Sequence, residues 1–213
     1  MRAKVLIVDN CPVARLGLKS VISNENDLEL CGETASIGEA LQIVESVKAD
    51  VAIVDLSLEH GRNKLALIQQ LSSEVKILVC SFHNEKVFTQ RVMAAGVRGY
   101  IHKSEYVEEI VWALYRIIDG DTYLSPRISA SMLGNRLPED RLGSSILELT
   151  NREMEVFELL GHGYETGEIA EQLQLSPKTI GNHYQNIVNK LHLKNKAKLS
   201  YRAVLWVREE KYS

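Results

Sequence analysis

Cysteine is rare in this 213-residue chain: Cys11, Cys31 and Cys80 are its only three, and they form no CxxC pair and no Cys/His ligand spacing. An odd, scattered set excludes a disulfide framework and a structural zinc site, and suits buried thiols in a reducing compartment. Long apolar runs are also missing. The longest is a handful of residues, too short for a membrane span of about 20 or for a signal-peptide core. The six histidines fall in no HExxH-like pattern, and no internal repeat or low-complexity tract is present. These absences point to a soluble cytoplasmic protein.

What the chain does have is ordinary globular composition, 45% hydrophobic and 25% charged, with an uneven charge distribution. Residues 1–120 hold 13 Lys or Arg against 16 Asp or Glu, whereas residues 149–213 hold 9 against 8. An acidic module therefore precedes a more basic one. The first module alternates strand and helix patterns five times. The strands read KVLIVD at 4–9, LELCGE at 28–33, VAIVD at 51–55, VKILVCS at 75–81 and VRGYIHK at 97–103. Helical patterns follow from Pro12 and near 36–47, 65–72, 84–95 and 105–119. Strands apolar on both faces, separated by amphipathic helices, predict a doubly wound α/β domain with a five-stranded parallel sheet.

In such a sheet ligands bind at the carboxyl ends of the strands, where the strand order reverses. The polar residues there are Asp9 and Asn10 after the first strand, Asp55 after the third, Ser81 after the fourth and Lys103 after the fifth. Carboxylates, a hydroxyl and an ammonium converging at one place suit phosphoryl chemistry, with a carboxylate nucleophile and a divalent cation on oxygen ligands. This constellation resembles the CheY-like receiver domain over residues 1 to about 120, whose strand order is 2-1-3-4-5. The resemblance implies Asp55 as phosphoacceptor, and Mg2+ held by Asp9, Asn10, Asp55 and the backbone of Ser57. It further implies Ser81 as the hydroxyl that follows the phosphoryl group, Lys103 as its ion-pair partner and Tyr100 as the aromatic switch. Asn10 stands where the family carries a second acid, so weaker metal binding is expected. The stretch LSLEHGRNKL after Asp55 lacks the usual Met-Pro and is one residue longer than in typical receivers.

The C-terminal third is built differently. Thr150 with Glu153 forms a capping box before the apolar positions Val156, Phe157 and Leu160. A short second helix carries Ile169, Ala170 and Leu173. After a turn at Gln174 and Leu175, Ser176 is placed to cap a third helix that starts at Pro177. Ile180, Tyr184, Ile187, Val188 and Leu191 form its apolar side, and Lys178, Gly181, Asn182, Gln185 and Asn189 its polar side. A helix showing amides and a cation suits major-groove reading, since Asn or Gln can bond an adenine edge bidentately. Residues 176–202 carry six Lys or Arg and no Asp or Glu, a phosphate-facing patch.

The segments LTNREMEV, GEIAEQLQLSPKTIGNH and NIVNKLHLKNKAKL closely resemble the LuxR-type helix-turn-helix of NarL/FixJ response regulators. The resemblance implies backbone or bracing contacts from Lys178, Thr179 and His183, base-facing positions at Gly181, Asn182 and Gln185, and a DNA-contacting role for Asn186 and Lys190. Many relatives have Lys or Val where Gly181 and Asn182 stand, so a relative's operator does not transfer. The helix from Lys196 to about Arg208 either closes the core through Leu199, Ala203 and Trp206 or pairs two subunits.

The organisation expected is a receiver at 1–120, a linker at 121–147 with one short helix at 126–134, and a small all-α DNA-binding domain at 148–213. The implied partners are double-stranded DNA, a sensor histidine kinase and a second copy of the chain, with no membrane. The implied function is a two-component transcription factor, not an enzyme, controlled by phosphorylation of Asp55. An alternative is a DNA-binding regulator whose receiver serves only dimerisation or partner binding. An aspartate-nucleophile phosphatase would need an acid two residues after Asp55, where Ser57 stands.

Overall fold

The computed structural model describes residues 2–58, 64–83, 85–125, 128–129 and 146–212. Two compact units are present, one around a sheet and one of helices from residue 146 onward. In the first, β1 (Ala3–Val8), β2 (Leu28–Thr34), β3 (Val51–Val54), β4 (Lys76–Ser81) and β5 (Gly99–His102) alternate with α1 (Pro12–Ser23), α2 (Ile37–Val47), α3 (Lys64–Ser72), α4 (Glu85–Ala94) and α5 (Val107–Ile118). With a short β6 (Tyr123–Leu124) at one edge, the sheet order is β2-β1-β3-β4-β5-β6 and every pairing is parallel.

The doubly wound arrangement follows from strands that are apolar at consecutive positions. Val5, Ile7, Val51, Ile53, Leu78, Cys80 and Ile101 pack with Leu18 and Ile22 of α1 and Ile110, Ala113, Leu114 and Ile117 of α5. Their neighbours Leu6, Val8, Ala52, Val54, Ile77, Val79 and Tyr100 are buried on the opposite face, where α2, α3 and α4 lie. Burial pushes the Cys80 thiol up to about 12, as expected of an inert core thiol.

The expected five-stranded sheet is corrected to six. Tyr123–Leu124 forms β6, which pairs parallel with β5 inside the stretch assigned to the linker. Its anchors are tertiary: the Tyr123 N–H donates to Arg98 O at 2.9 Å, and the ring is buried with its hydroxyl donating to Glu109 at 2.6 Å. A two-residue strand has no period to detect. The helix expected at 126–134 lies outside the described residues except at Ile128 and Ser129.

The second unit contains α6 (Asn151–Gly161), α7 (Thr166–Gln172), α8 (Pro177–Lys190) and α9 (Lys196–Tyr212). The capping box forms as its residues require: the Glu153 N–H donates to Thr150 Oγ1 at 3.3 Å, and Glu153 Oε2 accepts from the Thr150 N–H at 2.8 Å. A second box, Glu165 with Glu168, opens α7. Gln174 takes a left-handed φ of 53° in the turn between α7 and α8, and Arg152 ties α6 to that turn by donating to the Leu173 carbonyl. Ser176 Oγ accepts from the Thr179 N–H at 3.1 Å, with Pro177 at the first helical position. Leu199, Ala203 and Trp206 are buried, so α9 closes the core.

One bond joins the first helix of this unit to the third. Lys190 Nζ lies 2.7 Å from Glu153 Oε2, the oxygen that also caps α6. Burial alone would raise the Glu153 carboxyl, but the bonds from Lys190 and Thr150 outweigh it and hold the group below its ordinary value of 4.5. A folded-state value below the unfolded one stabilises the fold fully above the unfolded value, and that contribution is lost as pH falls through the folded value. Glu153→Gln is therefore expected to cost about 1.5–3 kcal/mol at neutral pH and to flatten the loss of stability on acidification below pH 4.5. Urea unfolding of the full chain across that range measures both.

Candidate phosphoryl pocket and DNA-facing helix

Three buried charges meet at the carboxyl ends of β1, β3 and β5. Asp9 and Asp55 are 2% and 3% exposed, and both bond to the one ammonium of Lys103, at 2.6 Å and 2.9 Å. The backbone sets the convergence: the Asp55 N–H donates to Val8 O at 2.9 Å, and the Lys103 N–H donates to Ser81 O at 3.0 Å. Burial alone would lower the Lys103 pKa. The two carboxylates more than offset this and hold it above the ordinary lysine value, so the ammonium stays charged. Two anions against one cation leave the pocket with a formal charge of about −1 at neutral pH.

The remaining predicted pocket residues are placed less simply. Asp9 Oδ1 accepts from the Cys11 N–H at 2.7 Å, and Ser57 Oγ reaches Asp55 Oδ1 only at 3.5 Å. Asn10 Nδ2 donates to the Ser57 carbonyl at 2.9 Å. A carbonyl oxygen only accepts, so the amide nitrogen must face it. The bond joins the two expected metal ligands through the amide nitrogen, so Asn10 Oδ1 is not used in it, and the Ser57 carbonyl keeps a second lone pair. Among the described residues no cluster of three His, Cys, Asp or Glu converges as a metal site, so the anionic donors are the Asp9 and Asp55 carboxylates. Oxygen donors of this kind fit Mg2+ in type. The longer loop expected after Asp55 extends into residues 59–63, outside the described residues.

Ser81 is fully buried, and its hydroxyl meets His83 Nδ1 at 2.9 Å. Tyr100 is buried too, and its hydroxyl donates to the His83 carbonyl at 2.8 Å. Ser81 and Tyr100 are thereby linked through a residue that sequence reasoning did not single out. The signal available was a histidine two positions beyond the strand-end hydroxyl.

On α8, Lys178, Gly181, Asn182, Gln185, Asn186 and Asn189 are exposed, as the helical spacing requires. Gln185 Nε2 donates to Asn189 Oδ1 at 3.1 Å, one turn on. Thr179 is half-buried and bonds Ser176 at 2.8 Å, while His183 is half-buried with a buried Nδ1 that has no partner among the described residues. The Lys190 ammonium bonds Glu153 Oε2 at 2.7 Å and the Glu148 carbonyl at 3.1 Å. Lys196 is likewise engaged, 4.5 Å from the Tyr184 ring centroid and 3.0 Å from Thr166 Oγ1. The exposed cations of the patch that make no such contact are Lys178, Lys194 and Lys198, with Arg202 half-buried.

Residues 5–115 match the response regulator receiver domain model, and residues 147–203 match the model of bacterial regulatory proteins, luxR family. The chain is a response regulator of this family. It is 31% identical to the oxygen regulatory protein NreC of Staphylococcus haemolyticus over 204 residues, covering 92% of this chain and 94% of that one. NreC of Staphylococcus epidermidis gives 31% over 205 residues with the same coverage. Among solved structures, RcsB of Salmonella enterica serovar Typhimurium, bound to promoter rprA in the presence of phosphomimetic BeF3-, shares the fold. Its TM-score is 0.74 at 21% identity, covering 94% of this chain and 98% of that chain. A LuxR-family two-component response regulator from Aurantimonas sp. SI85-9A1 gives 0.57 at 28% identity over 64% of this chain and 99% of that one.

This response regulator carries a receiver ahead of a LuxR-type DNA-binding domain. DNA and a kinase are the partners expected of the family, and its receivers use Mg2+. Among the described residues no helix is long and apolar enough to cross a membrane.

Proposed function

We propose that Asp55 accepts the phosphoryl group from a phosphohistidine of a sensor kinase, and that the acceptor's change of charge controls DNA binding by α8. The observation that supports this most is the single Lys103 ammonium shared by Asp9 and Asp55 at the ends of three strands. In the transfer, an Asp55 carboxylate oxygen forms the new P–O bond as the P–N bond to the donor imidazole breaks. Asp9 and Asp55 would hold Mg2+, which supplies positive charge for the phosphoryl oxygens. Lys103 supplies a second positive charge and Ser81 a hydroxyl donor. The added dianion draws both toward Asp55, and movement of the β4–α4 loop is felt at Tyr100, which bonds the His83 carbonyl.

We assign the receiver to 1–120, the linker to 121–147 and the DNA-binding domain to 148–213, in a cytoplasmic protein with access to DNA. Lys178, Gly181, Asn182, Gln185 and Asn186 would face the groove, with Thr179 and His183 bracing the helix start. Lys190 would act by holding α8 to α6. Two copies would bring two reading helices about one DNA turn apart, favouring an inverted-repeat site. A second reading, a receiver that works without phosphorylation, is favoured by the Asn10 to Ser57 bond and by a pocket one negative charge short of two full acids beside Asp55.

Intact mass after incubation with Mg2+ and acetyl phosphate separates the two. An adduct that is lost in Asp55→Ala and accompanies a change in DNA affinity is expected. Unchanged mass with DNA binding intact would select the second reading.

Gly181 offers a test of the DNA-facing surface. It lies inside α8, and a Cβ there would meet nothing within 4 Å, so the fold does not require glycine. Interior glycine costs about 0.5–1 kcal/mol relative to alanine. Gly181→Ala should therefore raise the melting temperature while weakening operator binding, because the added methyl stands on the groove side. Thermal unfolding and DNA titration of the same preparation check it; unchanged or tighter binding would remove Gly181 from the interface.

A further inference from the structure

The Ser81 hydroxyl is engaged within its own loop. It lies 2.9 Å from His83 Nδ1 and accepts from the His83 backbone N–H at 3.3 Å. The imidazole is itself fixed. Its ring stands edge-on to the buried Phe88 ring of α4, with centroids 4.9 Å apart at 79°. The carbonyls on either side of this short loop are both tied to β5. Tyr100 donates to the His83 carbonyl at 2.8 Å, and His102 Nε2 bonds the Phe82 carbonyl at 3.1 Å.

The His102 bond fixes the tautomer of that ring. The Phe82 carbonyl can only accept, so Nε2 carries the proton and Nδ1 is free to accept from the Ser104 hydroxyl at 2.6 Å and the Ser104 N–H at 3.3 Å. Tyr100 and His102 stand two residues apart on one face of β5, so the strand holds successive carbonyls of the loop like two adjacent pins. Lys103, next in sequence, lies 5.5 Å from the Phe82 ring centroid while it pairs with Asp55. The loop that carries the switch hydroxyl is therefore held in one arrangement while Lys103 is engaged by the free Asp55 carboxylate.

We infer that His83 Nδ1 accepts the Ser81 hydroxyl proton, making His83 a positioning residue that latches this hydroxyl away from the acceptor, so that phosphorylation must exchange the Ser81 to His83 bond for a bond to the phosphoryl group. This rests on the role given above to Ser81. The latch favours the unphosphorylated arrangement, and the strength of one buried hydrogen bond sets how much. A net bond of about 0.5–1.5 kcal/mol corresponds to about two- to tenfold in the equilibrium.

The test is the concentration of beryllofluoride that half-saturates the full-length protein with Mg2+ in excess, read by 19F NMR. His83→Leu is expected to lower that concentration about two- to tenfold, because the competing partner is gone. His83→Asn, whose Oδ1 can take the place of Nδ1, is expected to return it toward the native value. In a Ser81→Ala background His83→Leu is expected to change nothing, which separates a latch from a merely structural ring. A native half-saturation in His83→Leu, or a shift that persists undiminished in Ser81→Ala, overturns the latch. If Ser81→Ala alone binds beryllofluoride as tightly as the native chain, the role of Ser81 falls first and the latch falls with it.

Discussion

Two buried carboxylates sharing one ammonium are the constraint around which the receiver is arranged. Lys103 is the cation that both buried carboxylates bond, and removing one partner from a buried ion pair costs about 3–5 kcal/mol. The three residues come from strands that are not consecutive in sequence, so the pair of bonds also ties β1, β3 and β5 together where the sheet order reverses. A site built this way responds to charge: adding a dianion to Asp55 changes the demand on the same ammonium and on the hydroxyl one strand away. Asn10 tempers the site, since its amide bonds the Ser57 carbonyl and brings no charge.

The DNA-binding unit depends on a comparable economy of partners. One oxygen of Glu153 caps α6 and holds Lys190 at the end of α8, so the orientation of the reading helix is fixed by a residue far from the groove-facing surface. Lys196 and Arg152 add further ties, to Tyr184 with Thr166 and to the turn after α7. The cost is a smaller set of free cations than the sequence count of six suggests. The polar face of α8 keeps its amides exposed, with Gln185 and Asn189 joined one turn apart.

Much of this was legible in the sequence. The alternation of apolar strands with amphipathic helices carried the doubly wound parallel sheet, its order came with the receiver resemblance, and the polar residues at strand ends included the Asp9, Asp55 and Lys103 that meet in the structure. The Thr150 to Glu153 box and Pro177 after Ser176 marked helix starts that the structure reproduces. What was not legible depends on tertiary contact. β6 is two residues long and is held by Arg98 and Glu109, so no local period announces it. The contacts of Lys190 with Glu153 and of Lys196 with Tyr184 and Thr166 join residues distant in sequence, so no spacing announces them. His83 and His102 matter through loop carbonyls and a hydroxyl, which no residue spacing reveals.

The most direct test of the central claim uses Lys103→Arg, which keeps a cation in the pocket while replacing a point charge with a planar fork. The measurement is DNA affinity before and after acetyl phosphate treatment, with intact mass taken on the same samples. The variant is expected to gain the phosphoryl mass yet lose most of the change in DNA affinity seen in the native chain. A full change in affinity in Lys103→Arg would contradict it, because the shared ammonium would then not be what links the acceptor to the DNA-binding domain.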